Sequence, residues 1–241
     1  MRTLFSPERR QAGLTLIETL ITMALGLLIL TAAYSLTQST GQASALLTAR
    51  TQLRGDALIS TQLLAARLRE ACAVYPQGTS LTLPAVSGTR NAAGTTTWRA
   101  GTNFVAVIVP PRSTDSSDLP TLFAYYLLPR GTYNAQMPAQ QKISAAGNAQ
   151  ALMEFRVPLS SATNPCSTPL GVSLTATGAR ALLLSDDVRT PQAAEPVFTV
   201  ETDSAVSFRL RFAKQVGSQE AVYPPLGQAP VRAAVVGRNV R

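Results

Sequence analysis

The sequence predicts an α+β fold in which one long N-terminal helix lies against an antiparallel β-sheet. Three observations carry this expectation. Residues 14–34 form an apolar run with a single charge, Glu18. Apolar residues then recur at helical spacing to about residue 71, with no proline between Pro7 and Pro76. Beyond Pro76 the chain changes to short β-rich runs set off by Gly, Ser, Thr and Pro.

The elements follow in order. Residues 1–13 form a polar, basic leader with Arg2, Arg9 and Arg10 against Glu8. Residues 14–34, LTLIETLITMALGLLILTAAY, span about 31 Å as a helix at ~1.5 Å per residue, enough for a hydrocarbon core of ~30 Å. No charge occurs from Thr19 to Ala49, while arginines precede the run. The positive-inside rule therefore places the N-terminus in the cytoplasm, the run in the inner membrane and the remainder outside. Residues 35–75 continue as an amphipathic half. Leu46, Leu53, Ala57, Leu64, Leu68 and Ala71 recur at helical spacing, and Arg50, Arg54, Arg67 and Arg69 largely occupy other faces. One helix from about Leu14 to about Cys72 is expected. Gly26, Gly41 and Gly55 are its soft points, each disfavoured by up to ~1 kcal/mol against alanine.

Residues 76–241 form the β-rich domain. Residues 77–101 read as a loop or a short hairpin. Strands are expected over 103–109, 122–128, 152–157, 197–200 and 206–212, the last with Val206, Phe208, Leu210 and Phe212 on one face. Residues 181–188 suit a strand or a short helix, 130–150 a polar loop, and 231–236 a final strand.

The chemistry-bearing residues exclude more than they indicate. There is no histidine, which removes the commonest general base and metal ligand together. No Gly-rich phosphate loop, Cys-x-x-Cys or His-Glu-x-x-His pattern is present, and neither lysine, Lys142 or Lys214, has a motif for a Ser-Lys pair. The reading is a protein that is not an enzyme and needs no cofactor. Asp115 with Asp118, and Asp186 with Asp187, are loop acids of the kind calcium uses; solvated carboxylates are the plainer reading, and no metal is assigned. Trp98, Tyr125, Tyr126 and Tyr133 suit stacking on a partner or, more simply, core packing. Lys and Arg number 21 against 13 acids, a net charge of +8, and 19 of the 21 are arginine. They are scattered along the sequence, so DNA stands as a partner admitted by charge and carried by no motif. Cys72 and Cys166, 94 positions apart, lack metal-ligand spacing; outside the cytoplasm they form one disulfide or remain two buried thiols.

Glu18 discriminates among readings of the apolar run. A secretory signal with Ala43-Ser44-Ala45 as its cleavage site would have an unusually long apolar region. A plain signal anchor fits the length and leaves the acid unexplained, and a buried core helix is at odds with so long a run. A carboxylate inside a membrane segment is costly and usually functional. Leu14 and Glu18 share a helix face, so a cut between Gly13 and Leu14 would create an amine one turn from the acid. An interfacial glutamate reaching headgroups is the alternative.

Arg9-Arg10-Gln11-Ala12-Gly13 followed by Leu14-Thr15-Leu16-Ile17-Glu18 resembles the class III signal of type IV prepilins, a basic leader ending in Gly before Phe-Thr-Leu-Ile-Glu. The resemblance implies cleavage after Gly13 by prepilin peptidase, methylation of the new N-terminal Leu14, and a role for Glu18 in subunit addition. Leu14 departs from the usual Phe. The implied fold is pilin-like, and the implied partners are the peptidase, the inner membrane and other pilins or pseudopilins met through the N-terminal helix. A weaker likeness to PilW/PulJ-type minor pilins and pseudopilins rests on residues 64–71 (LAARLREA), 182–188 (LLLSDDV), 205–212 and Arg238-Asn239. It implies a minor pilin of a type IV pilus. A type II secretion pseudopilin is the runner-up; from other classes come a membrane-anchored or secreted binding protein that never assembles and a DNA-uptake receptor, the latter motivated by the net charge.

Overall fold

The computed structural model describes residues 15–111, 119–144, 147–159, 166, 172–189, 196–201 and 205–237. The chain divides into two compact units, Met1–Ala45 and Leu46–Arg241, and helix α1 (Leu16–Glu70, 55 residues) contributes to both. After α1 come β1 (Ala73–Val74), β2 (Ser80–Thr82), β3 (Thr97–Arg99), β4 (Phe104–Val109) and β5 (Thr121–Pro129). Helix α2 (Arg130–Gln136) and a 3₁₀ turn (Ala139–Gln141) precede β6 (Ala149–Pro158) and β7 (Arg180–Arg189). The remaining strands are β8 (Phe198–Val200), β9 (Ala205–Leu210), β10 (Phe212–Val216), β11 (Gln219–Tyr223) and β12 (Val231–Val236). This is a long N-terminal helix followed by antiparallel sheets, the α+β, pilin-like architecture that the sequence predicts.

The second unit is built on a seven-stranded sheet in the order β1-β4-β5-β6-β7-β10-β11, with all pairs antiparallel. A three-stranded sheet, β12-β9-β8, and the hairpin β2-β3 complete it. Strands β4 (FVAVIV) and β5 are buried almost throughout, because both faces of the large sheet are covered. A strand buried on both faces reads as a continuous apolar run, and these do.

One face carries Val105, Val107, Val109, Phe123, Tyr125 and Leu127. It shares a core with the second part of α1, whose buried residues are Ala49, Leu53, Ala57, Ser60, Leu64 and Leu68. Their steps of three and four keep one stripe inward over successive turns. Arg50, Arg54 and Arg69 remain exposed, and Arg67 lies 4.9 Å over the Phe123 ring. The other face of the sheet packs Phe104, Ala106, Tyr126 and Phe155 against Trp98, Tyr133 and Met137. Trp98 lies 4.4 Å from the Tyr126 ring and donates Nε1–H to the Thr89 carbonyl at 2.8 Å. The Tyr126 hydroxyl donates to the Gly88 carbonyl at 2.8 Å. Gly88 has φ +86° and a Cβ there would meet Met137 Cε at 2.8 Å, so this turn requires glycine.

Several expectations are corrected. Residues 130–150 are not a polar loop throughout: they hold α2, the 3₁₀ turn and the start of β6. Their polar side chains replace backbone partners. The Asn134 amide donates to the Ile143 carbonyl and accepts the Ile143 N–H, both at 2.9 Å, and the Tyr133 hydroxyl donates to the Gln141 carbonyl. Residues 206–212 are not one strand. The chain leaves the three-stranded sheet at Leu210 and enters the seven-stranded sheet at Phe212. Between them, the Arg211 carbonyl accepts the Arg189 N–H at 2.7 Å. The alternation survives this switch because Val206, Phe208, Leu210 and Phe212 all enter the same core. Residues 181–188 are strand, within β7, and 77–101 contain the β2-β3 hairpin.

Asp186 and Asp187 are also not loop acids, since β7 contains both. Asp187 is buried, and Arg130, itself buried at the start of α2, donates Nη2–H to its Oδ1 at 2.9 Å. The same guanidinium donates through Nε and Nη2 to the Asp186 carbonyl, at 3.0 and 2.6 Å. Lys214 of β10 reaches Asp187 at 3.9 Å and Gln52 of α1 at 3.4 Å, so one carboxylate links β7, α2, β10 and α1. Burial and the neighbouring Asp186 push the Asp187 carboxyl above its ordinary range, against the pull of Lys214 and Arg130. A raised carboxyl pKa makes this group's contribution greatest below the unfolded value of 3.8 and erodes it as pH rises through the folded value.

At the end of α1, a disulfide joins Cys72 to Cys166, with Cα atoms 5.3 Å apart across 94 positions of chain. The Cys72 N–H donates to the Ile108 carbonyl of β4 at 2.8 Å. The crosslink thus fastens residue 166 where the helix meets the sheet.

Two stability predictions follow from these contacts. Arg130→Met leaves a buried carboxylate short of its partner and should cost about 3–5 kcal/mol at neutral pH. The difference from wild type, measured by denaturant unfolding, should shrink below about pH 4, where Asp187 is protonated in both states. The Cys72→Ser/Cys166→Ser pair should lower unfolding free energy by about 2–5 kcal/mol, and a thiol count of the wild-type chain purified without reductant should find none free.

Candidate functional site

Of the residues that the sequence singles out for processing and assembly, Glu18 stands in the first turn of α1. Gly13 and Leu14 lie outside the described residues. Thr15 immediately precedes the helix, and its carbonyl accepts the N–H groups of Glu18 and Thr19, at 3.0 and 3.2 Å. Its hydroxyl oxygen also accepts the Glu18 N–H at 3.4 Å. Thr15 is therefore the N-cap and Glu18 the third helical residue, the Thr-x-x-Glu spacing of a capping box. Sequence reasoning missed this role for Thr15, although Thr15-Leu16-Ile17-Glu18 spells the pattern. Glu18 sits in the first turn, where the helix dipole favours negative charge, and its carboxylate makes no ion pair among the described residues.

Within the first unit, the apolar side chains on both sides of Glu18 are largely exposed. Leu16, Ile17, Ile21, Leu25 and Leu28 keep 54–79% of their surface exposed. The polar groups among them are satisfied locally. Thr19 donates to the Leu16 carbonyl at 2.8 Å, Thr22 to those of Glu18 and Thr19 at 2.9 Å, and Thr31 to that of Leu28 at 2.9 Å. A helix whose threonine hydroxyls are internally paired, with apolar side chains outward, is compatible with hydrocarbon. Its apolar stretch is long enough to cross a membrane.

The other singled-out residues have structural partners. Tyr125, Tyr126, Tyr133 and Trp98 are core residues. The Tyr125 hydroxyl donates to Glu154 Oε2 at 3.0 Å, and burial with the Glu154 charge beside it holds this phenol well above its usual range. Burial alone pushes Tyr75 up to about 12. Asp115 and Asp118 lie outside the described residues, and Asp187 is engaged by Arg130. Among the described residues no three His, Cys, Asp or Glu side chains group as metal ligands. Two open clefts of about 360 and 390 Å³ flank Trp98, Arg99 and Asn103, and amides, threonines and apolar groups line them with Arg99.

In comparison with known families, residues 9–34 match the prokaryotic N-terminal methylation motif. No curated protein and no solved structure gives a match. The matched segment contains Gly13, Leu14, the Thr15 cap, Glu18 and the apolar run through Tyr34. That motif implies processing by prepilin peptidase and assembly with other pilins, and with the apolar helix it fits a membrane-anchored pilin. A methylation motif that opens a long apolar helix, followed by an antiparallel β domain, makes this chain a type IV prepilin-like protein.

Proposed function

We propose that the chain is a PilW/PulJ-type minor pilin, a structural subunit at the initiating end of a type IV pilus, and not an enzyme. The observation that carries the reading is the first turn of α1, where Glu18 follows the Thr15 cap within the matched motif. Cleavage after Gly13 frees an amine on Leu14, and methylation leaves it positive. Glu18 lies four positions further along the chain and meets that amine, its own or a neighbour's, as the helix leaves the inner membrane for the filament. The N-terminus begins in the cytoplasm and the β domain outside it, as arginines before the run and their absence up to Ala49 dictate. The segments 64–71 and 182–188, which carry the minor-pilin likeness, lie at the end of α1 and within β7.

The absence of histidine and of catalytic motifs supports a non-enzymatic role. The same anchor and domain suit a type II secretion pseudopilin at the tip of a periplasmic complex. A deletion strain that twitches normally and fails to secrete assigns the chain there.

Mass spectrometry of the mature chain should find N-methyl-Leu14 as its first residue. An uncut chain, or a start at Leu46, would falsify the assembly reading. Glu18→Ala should leave membrane insertion intact and sharply reduce recovery in sheared filaments; incorporation equal to wild type sinks the charge-neutralisation step.

A further inference from the structure

Between β7 and β10 the seven-stranded sheet is nearly unlaced. The two strands share a single residue pair, Phe212 with Val188, beside which the Arg189 N–H donates to the Arg211 carbonyl. The cause lies in β7. Its register against β6 shifts twice, between Gln150 and Leu152 and between Leu152 and Met153, so β7 holds extra residues past Leu183. Bulges of this kind bend a strand and interrupt its pairing. Residues 180–183 keep β6 on one side, in unbroken register from Arg156 opposite Arg180 to Met153 opposite Leu183. On their other side, and beside Leu184, no strand pairs among the described residues.

Exposure follows this boundary. Met153, Glu154 and Phe155 of β6 are buried, whereas Leu182 and Leu183 remain 39% and 37% exposed. Successive strand residues point to opposite faces, so the open edge carries a leucine on each. Edge strands are ordinarily blunted by charge, proline or a bulge. Here β7 contains no proline, the bulges lie past Leu183, and the one charge on the open stretch is Arg180 at its end. Residues 180–184 thus leave about 17 Å of edge, the length of an ordinary strand.

Three features identify the occupant. Outward N–H and C=O groups along an edge are paired by another extended backbone. Leucines on both faces select aliphatic side chains at neighbouring positions of that backbone. Arg180 stands directly opposite Arg156, where like charges are destabilising, and among the described residues neither has a carboxylate partner. Glu154, two residues before Arg156, is engaged by the Tyr125 hydroxyl. A second copy of this edge does not supply the missing acid, since 180–184 reads Arg-Ala-Leu-Leu-Leu. We infer that residues 180–184 of β7 dock an extended segment of a partner protein by strand addition. That segment sets aliphatic residues against Leu182 and Leu183 and an acidic residue opposite Arg180. The docking is separate from the N-terminal helix and does not rest on the pilus reading.

The test uses the full chain in a nonionic detergent and the peptide fluorescein-Thr-Thr-Ile-Val-Thr-Glu-amide, whose antiparallel addition places Glu opposite Arg180. Fluorescence anisotropy should show saturable binding, and the fully N-methylated peptide, which keeps the side chains and loses the donors, should not bind. Hydrogen exchange at residues 180–184 should slow about tenfold or more when the peptide is bound. Arg180→Glu should weaken binding about tenfold and reverse the preference, favouring the same peptide with Lys in place of Glu. Arg54→Glu, the same charge change at an exposed position on α1, should alter affinity less than about twofold. Four results would each overturn the inference: no saturable binding to the wild-type chain, equal binding of the N-methylated peptide, protection confined to other residues, or an unchanged preference in an Arg180→Glu chain that melts like wild type. Protection of 180–184 without peptide, growing with protein concentration, overturns it in favour of a second copy.

Discussion

The second unit depends on one burial: the inward stripe of α1 against the large sheet. Leu53, Leu64 and Leu68 are essentially inaccessible, and each contributes about 1.5–3 kcal/mol on leaving water. That stripe decides what the sheet strands must be. A strand covered on both faces has no polar side to offer, so β4 is apolar at every position, and in β5 the hydroxyls of Tyr125 and Tyr126 are hydrogen-bonded. The polar devices of the unit follow from the same burial. Asp187, Glu154 and Arg130 are held within or at the edge of this packing, and each is paired, because an unpaired charge there would cost more than the packing of one leucine supplies.

Asp187 shows how a buried charge converts packing into register. Its carboxylate is reached from α2 by Arg130 and from β10 by Lys214, which also touches Gln52 of α1. A single sideways slip of β10 would turn Lys214 to the other face of the strand and break two of these contacts at once. The ladder between β10 and β7 consists of one pair, Phe212 with Val188, so backbone hydrogen bonding alone fixes that junction weakly. The disulfide acts at the opposite end of the α1–sheet contact, beside β1 and β4.

Most of the architecture was legible because it rests on periodicity. The α1 stripe, β4, β5, β6, β9 and β12 each show their pattern within a dozen residues. Several of the misreadings have a different cause, a partner distant in sequence. Asp187 looks like a solvated acid until Arg130, 57 positions away, folds beneath it. Residues 182–188 have no clean alternation because Leu182 and Leu183 remain partly exposed while Asp187 points inward. The β10-β11 hairpin went unread although Gly217-Ser218 supplies a two-residue turn with Gly217 at φ +58°. The opposed arginines at 156 and 180 could not be seen at all, since register between β6 and β7 is a tertiary fact.

At the candidate site, the methylation motif was legible and the Thr15 cap was not. The first turn of α1 needs an acceptor for the Glu18 N–H, and Thr15 supplies it with both carbonyl and hydroxyl oxygens. A cap of this kind is worth about 0.5–2 kcal/mol, and the helix dipole adds about 0.3–1 kcal/mol for an acid in the first turn. An ionised carboxylate near the middle of an apolar layer costs about 2.5–3.5 kcal/mol by insertion scales, and less toward its edge. Cap and dipole therefore offset the charge only while Glu18 stays near the edge of that layer. Deeper in an apolar surrounding, such as a bundle of apolar helices, the balance reverses and a cation becomes necessary. In the proposed reading, proteolysis after Gly13 is the step that supplies it, as an amine four positions before Glu18 in the sequence.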